Sequence, residues 1–244
     1  MKAVIQAGGQ GTRLRPYTLI LPKPMMPVGG VPVIESLLKW LRRNGIEEAY
    51  VTTGYLGHLL RSLIGDGSQW DMSIAYSEEK EPMGTVGALR LVEDQLDETF
   101  LVLNGDLVTD LDLNAFRDFH RSHGGLLSIA VTSKTVKVDL GVLDTDNLSR
   151  VTRFREKPSM QYQVSMGMYC MEPKILKHIP KGVAFGFDDL VHILLEKNVP
   201  IHVFQHDGLW MDIGRPEDFQ KAQELVDSNE DGFYISNNAI DKAT

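Results

Sequence analysis

The first half of the chain alternates short apolar segments with segments of helical hydrophobic spacing, and this alternation constrains the fold most strongly. Lys2–Ala7 is a short apolar run bounded by glycine, which is typical of a strand buried on both faces. In Val33–Asn44 the apolar residues recur every three or four positions before Gly45, which predicts a helix ended by glycine. These patterns repeat in "EEAYVTT", "YLGHLLRSLI", "MSIAYS", "TVGALRLVEDQL" and "TFLVLN". The sequence therefore predicts an α/β fold: a mostly parallel central sheet with helices on both faces, arranged as a three-layer sandwich.

The second half of the chain is richer in β-type segments from about Leu126 onwards. The segments concerned are "LLSIAVTS", "DLGVLDT", "LSRVTRFREKP" and "YQVSMGMYCM". We expect them to form a smaller antiparallel or mixed β-rich insertion that lies beside the parallel sheet. Two helices, Phe187–Lys197 and Arg215–Val226, are expected around the strand segment "VPIHVFQ". We predict a single domain over residues 1–226 and a polar tail over residues 227–244.

Composition and charge exclude several classes of partner. The 244 residues are 43% hydrophobic and 24% charged, which is usual for a globular protein. The net charge of −8 comes without a basic run, so we expect no nucleic-acid interface and no binding to a membrane. The single cysteine, Cys170, has no partner for an internal disulfide, and the first residues lead into a strand rather than a signal peptide. We therefore expect a cytoplasmic protein.

The stretch "GGQGTRLR", residues 8–15, follows directly after the first predicted strand. Glycines allow backbone N–H groups to approach an anion closely, and arginine suits phosphate. A Walker loop would need lysine and then serine or threonine after Gly11, and a dinucleotide-binding loop would need glycine where Leu14 stands, so both are disfavoured. We predict instead that Arg13 and Lys23 grip a polyphosphate from two sides. A tight turn with solvated arginines is the alternative interpretation.

Several motifs occur together and in a fixed order along the chain. They are "AGGQGTRLRPYT", "PKPMMPVGG", "EPMGTVGAL", "LNGDLVTD", "FREKP" and "LWMDIGRPEDF". This combination resembles the sugar-1-phosphate nucleotidylyltransferases, also named nucleotide-sugar pyrophosphorylases. The resemblance implies a Rossmann-like catalytic domain that transfers a nucleotidyl group from an NTP to a sugar 1-phosphate and releases pyrophosphate. It leaves the oligomeric state open between a monomer and a homo-oligomer.

The identity of the two substrates is a finer question. The wording of "LNGD", "FHRSHGG" and "LGVLDTDNLSRVTRFREKP" is most similar to mannose- or heptose-1-phosphate guanylyltransferases. Guanine offers N–H donors, and "SEEKEP" supplies carboxylates, Glu79 among them, near the base pocket that the resemblance implies. GTP is therefore favoured, with TTP, UTP or CTP as alternatives. Ser165 and Met166 stand where many hexose-specific members have Asn-Ala, which leaves the sugar open.

The resemblance also implies roles for individual residues. Arg13, Lys23 and Lys157 would be catalytic, with Lys157 contacting the phosphate of the sugar 1-phosphate. Asp106 and Asp212 would hold Mg²⁺, an ion that prefers one or two carboxylates together with substrate phosphates and water. The implied nucleotide-binding residues are Ala7, Gly8, Gly9, Gly11, Thr12, Glu79, Pro82, Gly84, Thr85, Asn104 and Gly105. The implied sugar-binding residues are Gly141, Glu156, Ser165 and Gly167.

Other residues were weighed for chemistry. Asp110 and Asp112 form an Asp-x-Asp pair that would bind metal in a glycosyltransferase, but the following "LNAFRDF" favours a helix cap. His120 and His123 lack a third zinc ligand at suitable spacing and are interpreted as cations near a helix end. Cys170 is predicted to be a buried strand thiol. A noncatalytic nucleotide-sensing subunit of the same fold is a further alternative, which the presence of all the implied reactive residues disfavours.

Overall fold

The structure is a computed structural model that describes residues 1–228 of the chain. The strands are β1 (Ala3–Ala7), β2 (Pro27–Val28), β3 (Val31–Pro32), β4 (Glu48–Thr53), β5 (Ser73–Glu78), β6 (Phe100–Asn104), β7 (Leu107–Thr109), β8 (Leu127–Lys137), β9 (Val142–Thr145), β10 (Val151–Arg155), β11 (Ser159–Met171), β12 (Ile201–Gln205) and β13 (Trp210–Asp212). The tail predicted over residues 227–244 lies, from residue 229 on, outside the described residues.

Helices connect most of these strands. The α-helices are α1 (Val33–Arg43), α2 (Gly57–Ile64), α3 (Gly84–Gly87), α4 (Leu113–His123), α5 (Phe187–Glu196) and α6 (Pro216–Ser228). Short 3₁₀ helices cover Thr12–Leu14, Tyr17–Leu19, Lys23–Met25, Ser68–Trp70, Ala88–Gln95 and Pro173–His178. Throughout residues 1–228, no helix is both long and apolar enough to cross a bilayer. The expected helices near residues 33–44, 187–197 and 215–226 are present with shifts of one or two residues at their ends.

Seven of the strands within residues 1–228 form one sheet in the order β12-β8-β11-β6-β1-β4-β5. Neighbouring strands are parallel except on the two sides of β11, which runs antiparallel to β6 and to β8. Parallel neighbours need crossover connections, and α1, α2 and α3 lie in sequence between the strands of the β1, β4, β5 and β6 half. The prediction of a mostly parallel α/β sheet is confirmed.

Alternation of side chains along each strand divides the core between the two faces of the sheet. On one face Ile5 belongs to an apolar cluster with Leu38 of α1 and Leu60 of α2. On the other face Val4 belongs to a second cluster with Leu190 of α5. Helices therefore cover both faces, which confirms the three-layer arrangement.

The β-rich second half departs from expectation. Two of the four segments expected beside the sheet lie in the sheet itself, as β8 and β11. Their inner halves are buried, whereas residues 133–137 and 159–163 are exposed and extend past the sheet as a ribbon. β9 and β10 form a separate two-stranded antiparallel sheet. We name residues 132–165 the outer β region. The sequence did not reveal that β8 and β11 each run from the buried sheet into the exposed ribbon.

The helix predicted over "TVGALRLVEDQL" is also only partly correct. The α-helical part ends at Gly87, and residues 88–95 continue as a 3₁₀ segment. Val92 within it has the non-helical angles φ −120° and ψ 17°. Packing of Leu89 and Val92 into the apolar cluster below explains how this segment persists without regular helical hydrogen bonding.

Candidate active site

A cavity of about 410 Å³ opens at the carboxyl ends of β1 and β6. Ligands of open α/β sheets bind at this edge. Among the residues named from the sequence, those lining the cavity are Ala7, Gly8, Gly9, Gly11, Thr12, Arg13, Lys23, Glu79, Pro82, Gly84, Thr85, Asn104 and Asp106. The structure thus brings most of the implied nucleotide-binding residues together with Arg13, Lys23 and Asp106.

Three lining residues escaped the sequence reasoning, namely Gln6, Pro24 and Thr52. Gln6 could have been found, because it is a polar residue near the end of an otherwise apolar strand and lies two positions before the first glycine of the loop, Gly8. Thr52 lies opposite Gln6 in the parallel pairing of β1 and β4, which the sequence alone did not specify. Gly105, by contrast, is not among the described residues that line the cavity.

One wall of the cavity is polar and partly buried. Glu79 accepts a hydrogen bond from the Met83 N–H at 3.0 Å, and burial raises the pKa of the Glu79 carboxyl. Gln6 Nε2 donates to the Thr85 carbonyl oxygen. The Thr85 hydroxyl in turn accepts from the Phe187 N–H at 2.7 Å. The Thr85 hydroxyl is therefore already engaged with the first turn of α5, and Glu79 supplies the acidic group of this wall.

The turn that begins α3 depends on a glycine. Gly84 has φ +71°, a left-handed conformation, and a Cβ at this position would lie 2.6 Å from the Phe185 carbonyl oxygen. The N–H groups of Val86 and Gly87 both donate to that same oxygen at 3.1 Å. The turn is thus fixed against the backbone of residues 183–187, and a side chain at Gly84 would break this contact.

Lys23 joins the two aspartates that the sequence assigns to a metal. β7 and β13 pair antiparallel, and the Ile213 N–H donates to the Asp106 carbonyl oxygen at 3.2 Å, so residues remote in sequence meet. Lys23 Nζ forms an ion pair with Asp106 Oδ2 and another with Asp212 Oδ1 at 3.1 Å. Burial lowers the pKa of Lys23, while Asp212 acts in the opposite direction. An ammonium group therefore bridges the carboxylate pair.

The same carboxylate pair was tested for its fit to Mg²⁺. No group of three or more His, Cys, Asp or Glu side chains in residues 1–228 is arranged to hold a metal ion. Asp106 and Asp212 nevertheless supply carboxylate oxygens, the donors that Mg²⁺ prefers when phosphates and water complete its shell. Asp106 Oδ1 is buried and has no hydrogen-bond partner within the described part of the chain. The donor set fits Mg²⁺, with Lys23 as the cation that the pair now holds.

The residues implied for the sugar phosphate are less well gathered. Glu156 and Lys157 are exposed in the turn between β10 and β11, and Lys157 has φ +43°. Neither residue lines the cavity as far as the described residues define it. A Cβ on Gly141 would lie 2.7 Å from the ring of Phe154, whose own side chain is 59% exposed. The outer β region therefore carries these groups apart from the cavity.

Ser165 and Gly167 connect the two parts. The Gly167 N–H donates to Ser165 Oγ, and Ser165 Oγ donates to the Tyr169 hydroxyl, both at 3.2 Å. The backbone of Gly167 lies against the side chain of Asn104, which lines the cavity. A residue implied for the sugar, Gly167, thus contacts a residue implied for the nucleotide, Asn104.

Three of the remaining sequence predictions are resolved by local contacts. Asp112 caps α4 by accepting from the Ala115 N–H at 3.0 Å, so the helix-cap prediction is confirmed. Asp110 is instead 2.8 Å from His206 Nε2. Cys170 is fully buried, and burial raises the pKa of its thiol to about 12, which confirms an inert strand thiol.

The interpretation of His120 and His123 as cations is wrong, because burial lowers the pKa of both. Each histidine has a ring nitrogen 2.8 Å from Ser128 Oγ. The Gly125 N–H donates to His123 Nδ1 at 2.9 Å, which requires that nitrogen to be unprotonated. The His123 ring stacks on His202 with 3.7 Å between centroids. Desolvation and the neighbouring imidazole therefore outweigh the attraction of the helix end for a cation.

Known proteins share both the sequence pattern and the fold. Residues 2–229 match the family model described as nucleotidyl transferase, and the chain belongs to this family. The UTP–glucose-1-phosphate uridylyltransferase of Synechocystis sp. is 34% identical, over 94% of this chain and 64% of that protein. The mannose-1-phosphate guanylyltransferase of Mycobacterium tuberculosis is also 34% identical, over 90% of this chain and 63% of that protein. The chain thus spans less than two thirds of the length of these curated relatives.

A solved structure gives the same relationship for the fold. HddC from Yersinia pseudotuberculosis has a TM-score of 0.72 and 29% identity, over 92% of this chain and 98% of its own. The same protein complexed with GMP-PN has a TM-score of 0.72 and 26% identity, over the same shares of the two chains. The family and fold class expected from the motifs are thereby confirmed.

Proposed function

We propose that the protein transfers a nucleotidyl group from an NTP to a sugar 1-phosphate, giving an NDP-sugar and pyrophosphate. The observation that carries this proposal is the convergence of the glycine loop with Arg13 and Lys23 in one cavity at the carboxyl edge of the sheet. Backbone N–H groups, a guanidinium and an ammonium suit a triphosphate. Membership in the nucleotidyl transferase family supports the same reaction.

The chemistry asks for charge neutralisation and positioning more than for proton transfer. A phosphate oxygen of the sugar 1-phosphate is already anionic near neutral pH and forms the new bond to the α-phosphorus of the NTP. The bond between that phosphorus and the oxygen that bridges it to the β-phosphorus breaks, and pyrophosphate leaves with that oxygen. Arg13 and Lys23 stabilise the triphosphate and the departing pyrophosphate. Because the attacking oxygen is already anionic, the reaction needs no general base.

Two further groups complete the proposed site. Lys157, exposed on the outer β region, orients the phosphate of the sugar 1-phosphate through its ammonium group. Asp106 and Asp212 hold Mg²⁺, which would add positive charge beside the phosphates. Asp110 and Asp112, the ligands that a glycosyltransferase would need, are engaged with His206 and as a helix cap. Those contacts favour the nucleotidyl transfer.

Among nucleotides we propose GTP, with a manno-configured sugar 1-phosphate as its partner. Glu79 in the cavity wall is a suitable acceptor for the N1–H and amino groups of guanine. The complex of HddC with GMP-PN and the name of the Mycobacterium tuberculosis relative support a guanine nucleotide. UTP is the second candidate, because the uridylyltransferase from Synechocystis sp. is equally identical.

A substrate panel tests the proposal. Pyrophosphate release is measured for GTP, UTP, TTP, CTP and ATP, each with mannose 1-phosphate and glucose 1-phosphate. We expect the highest kcat/KM for GTP with mannose 1-phosphate. Arg13→Met should lose most of the activity, whereas Arg15→Met is the matched control, because Arg15 is exposed and is not among the described cavity-lining residues. A tenfold preference for another NTP would refute the base, and no release with any pair would refute the reaction.

A further inference from the structure

Lys23 plays two incompatible parts in the site. As a cavity-lining cation it faces the position proposed for the triphosphate. In the structure, however, its ammonium group pairs with both carboxylates assigned to the metal. We propose that Lys23 is a resident counter-ion which a divalent metal displaces from Asp106 and Asp212, and that the released ammonium then binds the triphosphate. This inference rests on the proposed function for the metal at Asp106 and Asp212 and for the triphosphate.

Lys23 already pairs with one oxygen of each carboxylate, Asp106 Oδ2 and Asp212 Oδ1. Lys23 and Asp106 have side chains that are only 15% and 10% exposed, so the pair is largely shielded from water. A Cβ placed on Gly214 would lie 3.1 Å from Asp212 Oδ1 and 3.3 Å from Lys23 Nζ. The backbone at Gly214 therefore closes one side of the ion pair. A divalent ion that ligates Asp106 Oδ2 and Asp212 Oδ1 has to replace the ammonium group there.

Electrostatics give this displacement a direction. Two carboxylates at one partly buried point repel each other, and Lys23 removes one unit of that charge. A metal that arrives brings two positive charges, after which the ammonium is repelled by the metal and attracted by phosphate. Metal and triphosphate would then favour each other's binding, because each gives the released groups a partner.

The reach of the side chain makes the exchange feasible. Lys23 begins a short 3₁₀ helix, and its neighbour Pro24 is buried, so the backbone is held in place. A lysine side chain has a flexible four-carbon stem and can turn its ammonium group without a change in the backbone. Since Lys23 already lines the cavity as well as contacting both aspartates, rotation about its side-chain bonds is sufficient.

The test is Mn²⁺ binding to the nucleotide-free protein, measured through the paramagnetic relaxation of water protons. Lys23→Met keeps the length of the side chain and removes its charge, so we expect Mn²⁺ affinity to rise on the order of tenfold. Lys23→Gln is the second variant, in case the first fails to fold. Arg15→Met is the control, because Arg15 is exposed and is not among the described residues that line the cavity. Its affinity should change less than about threefold.

A second measurement ties the gain to this carboxylate pair. Adding Asp106→Asn to Lys23→Met should abolish the gain in Mn²⁺ affinity. Mn²⁺ should also raise the Tm of Lys23→Met more than that of the wild type, because unpaired buried carboxylates destabilise the fold until a cation returns. Unchanged or weaker Mn²⁺ binding in both Lys23 variants, or a gain that survives Asp106→Asn, would overturn the inference. No NTP or sugar is present, so a negative substrate panel leaves this result valid.

Discussion

The cavity and the outer β region differ in how firmly they hold their functional residues. The cavity lies at the ends of β1 and β6, two strands whose residues, such as Ile5 and Leu103, are fully buried. The outer β region instead exposes large apolar side chains, including Leu143 and Phe154. Its smaller sheet has only two strands, an arrangement with little stability of its own. The residues implied for the nucleotide are therefore held by the core, and most of those implied for the sugar by local turns.

This difference assigns different work to the two regions. Charged groups that must act together within a few ångströms, Lys23, Asp106 and Asp212, all lie on the core side. Lys157, for which we propose contact with the sugar 1-phosphate, lies on the exposed side. We expect mutations near the cavity to affect folding and catalysis strongly, and mutations in the outer β region to affect the binding of the sugar 1-phosphate alone.

The largest expected effect comes from the carboxylate pair. Asp106→Ala or Asp212→Ala should each lower kcat/KM by about a thousandfold, or roughly 4 kcal/mol, because a shared metal site is lost. Groups that act as one unit are strongly non-additive, so the double variant should resemble the worse single variant. The measurement is kcat/KM at saturating Mg²⁺ for the four proteins, with folding checked by circular dichroism.

Asp110→Ala is the control for this series, since Asp110 is near the site in sequence but contacts His206. Its kcat/KM should stay within a few-fold of the wild type. Clean additivity of the Asp106 and Asp212 losses, or activity that persists in excess chelator, would show that the two carboxylates do not share a metal. The contrast between a coupled core side and an independent outer side would then lose its main support.

Two glycines sharpen the comparison at the level of stability. Gly84→Ala puts a Cβ against the Phe185 carbonyl at a left-handed φ, and we expect a loss of about 3 kcal/mol in the free energy of unfolding. Gly141→Ala meets the Phe154 ring, which is exposed and can rotate, and Glu156 Oε2 at an ordinary contact distance of 3.5 Å, so we expect a loss of about 0.5 kcal/mol. Urea denaturation measures both. Equal losses would contradict the contrast between the regions.

The same contrast explains what the sequence could predict. The parallel sheet follows from apolar runs and helical spacing, and the strand ends of such a sheet meet at one edge. Most of the residues that line the cavity were named from the family resemblance. The pairing of Asp106 with Asp212 needed the family motifs, because no local pattern announces the antiparallel contact of β7 and β13. The bridging position of Lys23 was missed, since it depends on side-chain packing that spacing does not encode.

The outer β region was the least predictable part. β11 pairs with β8 on both sides of a register shift between Ser165 and Tyr169, and the two halves of β11 differ in burial. Alternating polarity marked a strand there, but not the point at which it leaves the sheet. His120 was misjudged for a related reason, because its surroundings include Ser128 of β8 and Glu172, which lies just after β11, and spacing within α4 does not reveal these contacts.

A smaller effect is expected for Lys157. Lys157→Ala should lower kcat/KM about tenfold through a weaker apparent affinity for the sugar 1-phosphate. The effect is modest because an exposed ammonium group contributes less binding free energy than a buried one. Binding of the NTP, measured by calorimetry, should change little. Lys134→Ala is the control, as an exposed lysine of β8 with no implied role. An unchanged saturation curve for the sugar 1-phosphate would remove Lys157 from the site.

The smallest expected effect concerns the response to acid of His120, a buried residue of α4 that contacts Ser128 of β8. Burial lowers the pKa of His120 in the folded protein, despite the opposing influence of Glu172 and with His202 acting in the same direction as burial. The unfolded chain therefore takes up this proton first. Stability is complete above about pH 6.5, the usual histidine pKa, and is lost as the pH falls toward the lower folded value.

The loss through His120 has an upper limit of about 1.4 kcal/mol at pH 5.5, one unit below the unfolded pKa. His120→Gln should flatten the dependence of the unfolding free energy on pH between 7 and 5.5, whatever its effect on stability at pH 7. His192→Gln, an exposed position on α5, should leave the slope as in the wild type. Urea titrations at several pH values measure these slopes. If His120→Gln keeps the wild-type slope, acid destabilises the protein through groups other than this buried histidine.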